Sequence, residues 1–376
     1  MFFKKLRYSI FSAAFFTTAF VSAYCILGRP VAEFEEAFAS IVASRINSGE
    51  SVDWSMGSFA SSGARDTVLL ARLKRFAKNG DLKNAIALYR DLKINSNRQV
   101  ARAFINYKSY GQNLYLEAVG TPTENAVAYI LRYVDSGCSD KFALDKAVEY
   151  VKKNPGSETS FSFKVITDIF ESHGLYVENL RFFEKVAPIQ FDISITNVEK
   201  YADRADIPTF AKNAIQYNRI RFFLPKIKMY RDGKVSKAKA REEIMKTFVY
   251  WSAPNRGKYV LYECFECVGS FLIELGYSDD AQNIVESLLY DRTSSKYMRM
   301  PFFVLRIKES SIPVLLKLGR SDMVESLVFT GQKYENRVRL TNVVLDYYGK
   351  NDFRKAEDYF RYINSPSYKL KLFYKK

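Results

Sequence analysis

From Asp66 onward the chain repeats one local pattern: an apolar stripe at helical spacing, a break at Gly or Asn, and a second stripe with a small residue near its start. Residues 67–93 show it most clearly. Leu69, Leu73 and Phe76 form the first stripe, Asn79-Gly80-Asp81 interrupts it, and Leu82, Ala85, Leu88, Tyr89 and Leu92 form the second. Apolar residues spaced three and four apart share one face of a helix. Gly at the break suits the left-handed backbone that closes a helix C-terminus. Ala85 leaves room for two helices to approach. The segment therefore predicts an antiparallel helix hairpin.

The pattern recurs around Gly174 (Phe170, Tyr176, Phe183, Val186), Gly276 (Leu272, Ala281, Val285, Leu288) and Gly319 (Leu315, Val324, Val328). It recurs again around Asn351, with Leu340, Val344 and Tyr347 before it and Phe353, Ala356, Phe360 and Ile363 after it. Fainter copies centre on Gly120 and Gly233. The expected turns at 80, 120, 174, 233, 276, 319 and 351 stand 40, 54, 59, 43, 43 and 32 residues apart. Gly80, Leu82, Ala85 and Tyr89, and again Asn351, Phe353, Ala356 and Phe360, make these segments resemble tetratricopeptide repeats in a degenerate form. The resemblance implies an all-α chain, an α-solenoid of stacked antiparallel helix hairpins wound as a right-handed superhelix over residues 64–376. It also implies a concave face that binds other proteins. A short hairpin buries its apolar face only by stacking on neighbours, which suits such an array. Only 17 Gly and 10 Pro in 376 residues are too few for an all-β sandwich, which turns every ~8–12 residues.

Residues 1–63 read differently. Lys4, Lys5 and Arg7 precede an uncharged run from Tyr8 to Gly28. This is the layout of an export signal, with Val21-Ser22-Ala23 offering small residues for cleavage after Ala23. The run of 21 residues also approaches the ~20 needed to span a bilayer. Residues 1–23 are thus expected as a signal peptide, or 8–28 as a membrane anchor with the C-terminal part outside the cytoplasm. The expected location is the periplasm or the exterior. Residues 24–63 predict a short helix over 31–46 followed by a Ser/Gly-rich linker.

Chemistry-bearing patterns are few. A single histidine, His173, leaves no base for a triad. Cys264 and Cys267 form the one C-x-x-C, inside an apolar stretch that predicts mid-helix. Glu309 in Lys-Glu-Ser-Ser superficially suggests a transglycosylase acid, but another helix pair follows directly. No glycine-rich phosphate loop occurs. No cofactor, metal or catalysis is expected.

The net charge is +16, and the segment 219–241 carries half of it. There Arg219, Arg221, Lys226, Lys228, Arg231, Lys234, Lys237, Lys239 and Arg241 face only Asp232, with Phe222, Phe223 and Tyr230 interleaved. Charge with aromatics can hold a polyanion. The expected function is an exported helical-repeat scaffold with a protein partner in the cell envelope. The alternative is a binder of an anionic polymer, polysaccharide or nucleic acid, through 219–241; export disfavours nucleic acid. Membrane association is expected only through residues 8–28.

Overall fold

The computed structural model describes residues 31–52, 59–110, 120–153, 157–186, 223–252, 259–290 and 301–373. Among them every regular element is helical. The first part comprises α1 (Ala32–Asn47), α2 (Ser62–Lys78), α3 (Leu82–Asp91), α4 (Asn95–Tyr110), α5 (Pro122–Asp135), α6 (Lys141–Lys153), α7 (Ser157–Ser172) and α8 (Tyr176–Val186). The second comprises α9 (Leu224–Arg231), α10 (Lys237–Ser252), α11 (Tyr259–Glu274), α12 (Ser278–Tyr290), α13 (Pro301–Lys317), α14 (Ser321–Phe329), α15 (Tyr334–Asn351), α16 (Phe353–Ile363) and α17 (Pro366–Phe373).

One backbone device ends many of these helices. After α2, Gly80 takes φ +79°, its N–H donates to Ala77 O, and the N–H of Asp81 donates to Phe76 O. These two bonds satisfy carbonyls that the last turn leaves open, and only a residue without Cβ holds that φ cheaply. The same pair of bonds recurs at Gly174, Gly233, Gly276 and Gly319, all expected turns, and also at Gly49 and Gly137. Gly120 directly precedes α5, which opens on a reciprocal cap between Thr121 and Glu124. The turn between α5 and α6 falls instead at Gly137, where Cys138 is also left-handed at φ +65°.

A second device joins the starts of successive helices. Glu35, fully buried on the first turn of α1, accepts from Ala60 N (2.9 Å) and Ser61 N (2.6 Å), just ahead of α2. Asp66, buried at the start of the second turn of α2, accepts from Lys93 N (2.8 Å) and Ile94 N (2.5 Å), just ahead of α4. A carboxylate held there satisfies free N–H groups and complements the positive helix end. α1, α2 and α4 are thus chained in one register. α1 packs on α2 as closely as the hairpins pack internally, and Phe59 of the expected linker is buried with it.

Helices line up side by side as α2, α4, α5, α7 and as α11, α13, α15. α1 lies between the two rows, against both α15 and α2. One apolar cluster runs from α4 through α8 and on from α9 to α15. A second joins α15, α16 and α17 to α1 and α2, and a third joins α2 and α3 to α4. The clusters share α15, α2 and α4, so the circuit of buried contacts closes on itself. Phe38 is the centre of the junction, stacked 4.4 Å from Phe360 and 5.9 Å from Phe353. Gly349 makes this approach possible, because a Cβ there would stand 2.5 Å from Ile41 Cδ1.

Candidate functional site

The described part of the basic stretch forms α9, a turn and the start of α10. Arg219 and Arg221 lie outside the described residues. Arg231 reaches Glu274 on α11 at 3.3 Å and lies over the Phe271 ring at 5.9 Å. Lys234 pairs with Asp232 at 3.1 Å, and Lys239 with Glu242 (3.0 Å) and Glu243 (3.2 Å). Arg241 donates to both carboxylate oxygens of Asp280 on α12, at 2.5 and 2.8 Å. Lys237 Nζ stands 5.3 Å above the Tyr277 ring. On α9, Lys226 is half-buried and Lys228 exposed. Two arginines of the stretch are therefore bound to acids some 40 residues downstream, on the next hairpin. A cation already facing a carboxylate contributes little field to a polyanion at a distance.

Beside this patch the surface sinks into a cleft of about 440 Å³ between α9, α11 and α13. Ile227 and Arg231 come from α9, and Lys317 from α13. α11 supplies Glu266, Cys267, Ser270, Phe271, Ile273 and Glu274. Their spacing places them on one stripe of the helix. The adjacent stripe, with Phe265, Val268, Leu272 and Leu275, is core. Gly269 sets the depth of the cleft. A Cβ there would meet Val314 at 2.9 Å, so α13 comes close enough for Lys317 to overhang.

Burial raises the Glu266 carboxyl above its ordinary value, Lys350 and Lys317 partly counter this, and Asp346 adds to it. Yet Glu266 is exposed to solvent. A group that touches water while protein surrounds most of it sits on a concave wall. Asp168 on α7 behaves alike: it is exposed, burial raises its carboxyl, and Lys74 and Lys164 oppose the rise. Burial lowers the Lys74 ammonium on α2 against the pull of Asp168. α4 and α5 separate α2 from α7 along the row.

The chain matches no family model, no curated protein and no solved structure.

Other singled-out residues have structural surroundings. Glu309 is held by Arg339 (Nη2 at 3.0 Å) and Arg306 (3.3 Å), clamping α13 to α15. His173 Nδ1 lies 2.7 Å from Ile169 O at the end of α7. Cys267 is in no disulfide and faces the cleft, while the Cys264 side chain lies outside the described residues. Among the described residues no three His, Cys, Asp or Glu side chains converge as a metal site. Among them no helix is long and apolar enough to cross a membrane.

Sequence reasoning passed over Glu266, Ser270 and Lys317. Glu266 carried a signal: it is bracketed by the C-x-x-C cysteines, a charge inside an apolar helix. The cleft itself had none, because its lining residues on different helices stand 35 and more residues apart in the sequence.

Proposed function

We propose that the chain is an exported, non-catalytic scaffold whose hairpins are degenerate tetratricopeptide-like repeats, and that it holds a protein partner of the cell envelope. The supporting observation is the cleft of α9, α11 and α13. Its walls alternate sign (Arg231 with Glu274, Glu266 with Lys317) around an apolar floor of Ile227, Phe271 and Ile273. Such a surface complements a polypeptide segment with mixed side chains, whereas a uniformly charged polymer meets two carboxylates there. The site rests on helices rather than loops, which fixes its shape before binding and lowers the entropy cost of association. The anionic-polymer alternative draws support only from the composition of 219–241.

The test is a photoreactive amino acid at Ser270 in cells, with Lys83 on the exposed face of α3 as control. A discrete protein adduct from position 270, absent from position 83 and abolished by Phe271→Asp, supports the reading. No adduct, or the same adducts from both positions, rejects it.

A further inference from the structure

The described chain begins and finishes at one end of the helical body. α1 and α15 run side by side in the same direction. Arg45 near the end of α1 donates to Gly349 O near the end of α15 at 3.1 Å. At their starts, the charge of Glu33 reaches Tyr334, whose hydroxyl is raised first by burial and then by Glu33 and Glu335. Tyr334 in turn stacks on Phe373, the last residue of α17, at 5.1 Å. Arg337, buried in the first turn of α15, donates to the carbonyls of Lys371 (3.0 Å) and Leu372 (3.1 Å). The starts of α1 and α15 and the end of α17 therefore meet.

α17 splits into two faces at this meeting point. Tyr368 and Leu372 are buried in the junction core. Leu370 and Phe373, one turn apart, are 44% and 45% exposed. Val31, buried at the head of α1, stands only three positions after Gly28, the last residue of the uncharged run. The three steps from Gly28 to Val31 span about 10 Å at full extension. If the run Tyr8–Gly28 lies in a bilayer, Val31 has no freedom to leave its surface.

We propose that residues 8–28 remain as a membrane anchor and that this end of the body rests on the lipid surface, with Leu370 and Phe373 of α17 seated among the headgroups. The proposal rests on the export reading of the leader, in its anchored form. Two apolar side chains give weak binding alone; tethered beside the surface, they act at high effective concentration. Lys375 and Lys376 follow α17 in the sequence and suit anionic headgroups. The face also orients the molecule, because docking here fixes which helices look away from the membrane.

The experiment uses the full chain, isolated from membranes and placed in nanodiscs of phosphatidylethanolamine and phosphatidylglycerol with brominated acyl chains. Intact mass and N-terminal sequencing are read first. Trp emission is then read for Leu370→Trp, Phe373→Trp and, as control, Phe142→Trp on α6, a side chain 57% exposed. An intact leader with emission lost at 370 and 373 but kept at 142 is the expected result. A product starting at residue 24 overturns the anchor, and with it the export reading in this form. An intact leader without quenching at 370 or 373 leaves the anchor standing and overturns the docked face. A photo-crosslink from position 370 to a second copy or another protein, in place of quenching, overturns it as well.

Discussion

Asp66 shows how much one side chain can decide in this chain. It is fully buried, and both carboxylate oxygens are used by backbone N–H groups ahead of α4. Asp66→Ala leaves those donors buried and unpaired, which costs about 2–3 kcal/mol; urea denaturation should show it as a lower midpoint at unchanged slope. Glu266 acts in the opposite sense. Its carboxyl titrates higher in the folded chain than in the unfolded one. The folded state therefore binds this proton more readily, and ionisation of Glu266 works against folding as pH rises through the folded value. Glu266→Gln should raise Tm at neutral pH, with the gain fading as pH falls toward the ordinary carboxylate range; Tm profiles of the two proteins against pH check it. Arg241 tests the charge argument. Because it is engaged with Asp280, Arg241→Glu should lower Tm and hardly alter the salt needed to elute the protein from an anionic resin. A large drop in that salt would restore the polyanion reading.

At the scale of elements, the hairpins were legible where their closure depends on adjacent residues. A helix that ends on Gly with the two-bond turn needs only that Gly and the stripe before it, so Gly80, Gly174, Gly233, Gly276 and Gly319 stood out. Gly137 was missed although Ser136-Gly137 is itself a turn dipeptide; Cys138 beyond it adopts a backbone that β-carbon residues rarely take. The Arg231–Glu274 and Arg241–Asp280 pairs were not legible at all, since their partners come from another hairpin. For the same reason the cleft could not be foreseen. Close crossings were invisible too: Gly269 and Gly349 look like helix weaknesses in the sequence, yet they are where α11 meets α13 and α1 meets α15. Gly349→Val should therefore cost roughly 1–3 kcal/mol through overpacking against Ile41, although Val is otherwise well accommodated in these helices. A matching Ile41→Ala change should recover part of the lost stability in chemical denaturation.

The whole molecule departs from a free-ended row in one respect, and that respect governs its stability. In an open array the terminal repeats have one neighbour each and fray first. Here α1 has neighbours on both sides, α15 and α2, and Phe38 sits between rings from α16 while Phe59 packs on the same cluster. Amide hydrogen exchange in α1 and α15 should consequently be as slow as in α5 or α11, where an open array would show fast exchange in the outermost helices. Phe38→Ala removes the largest contact across the junction and should cost about 3–5 kcal/mol. The informative readout is where that loss appears. With the circuit closed, protection should fall together in α1, α15, α16 and α17, because the four share one apolar cluster, while α5 to α8 keep theirs. Loss confined to α1 alone would mean that the C-terminal helices hold their shape without it, and that the junction is a contact between two finished structures rather than the seam that completes one.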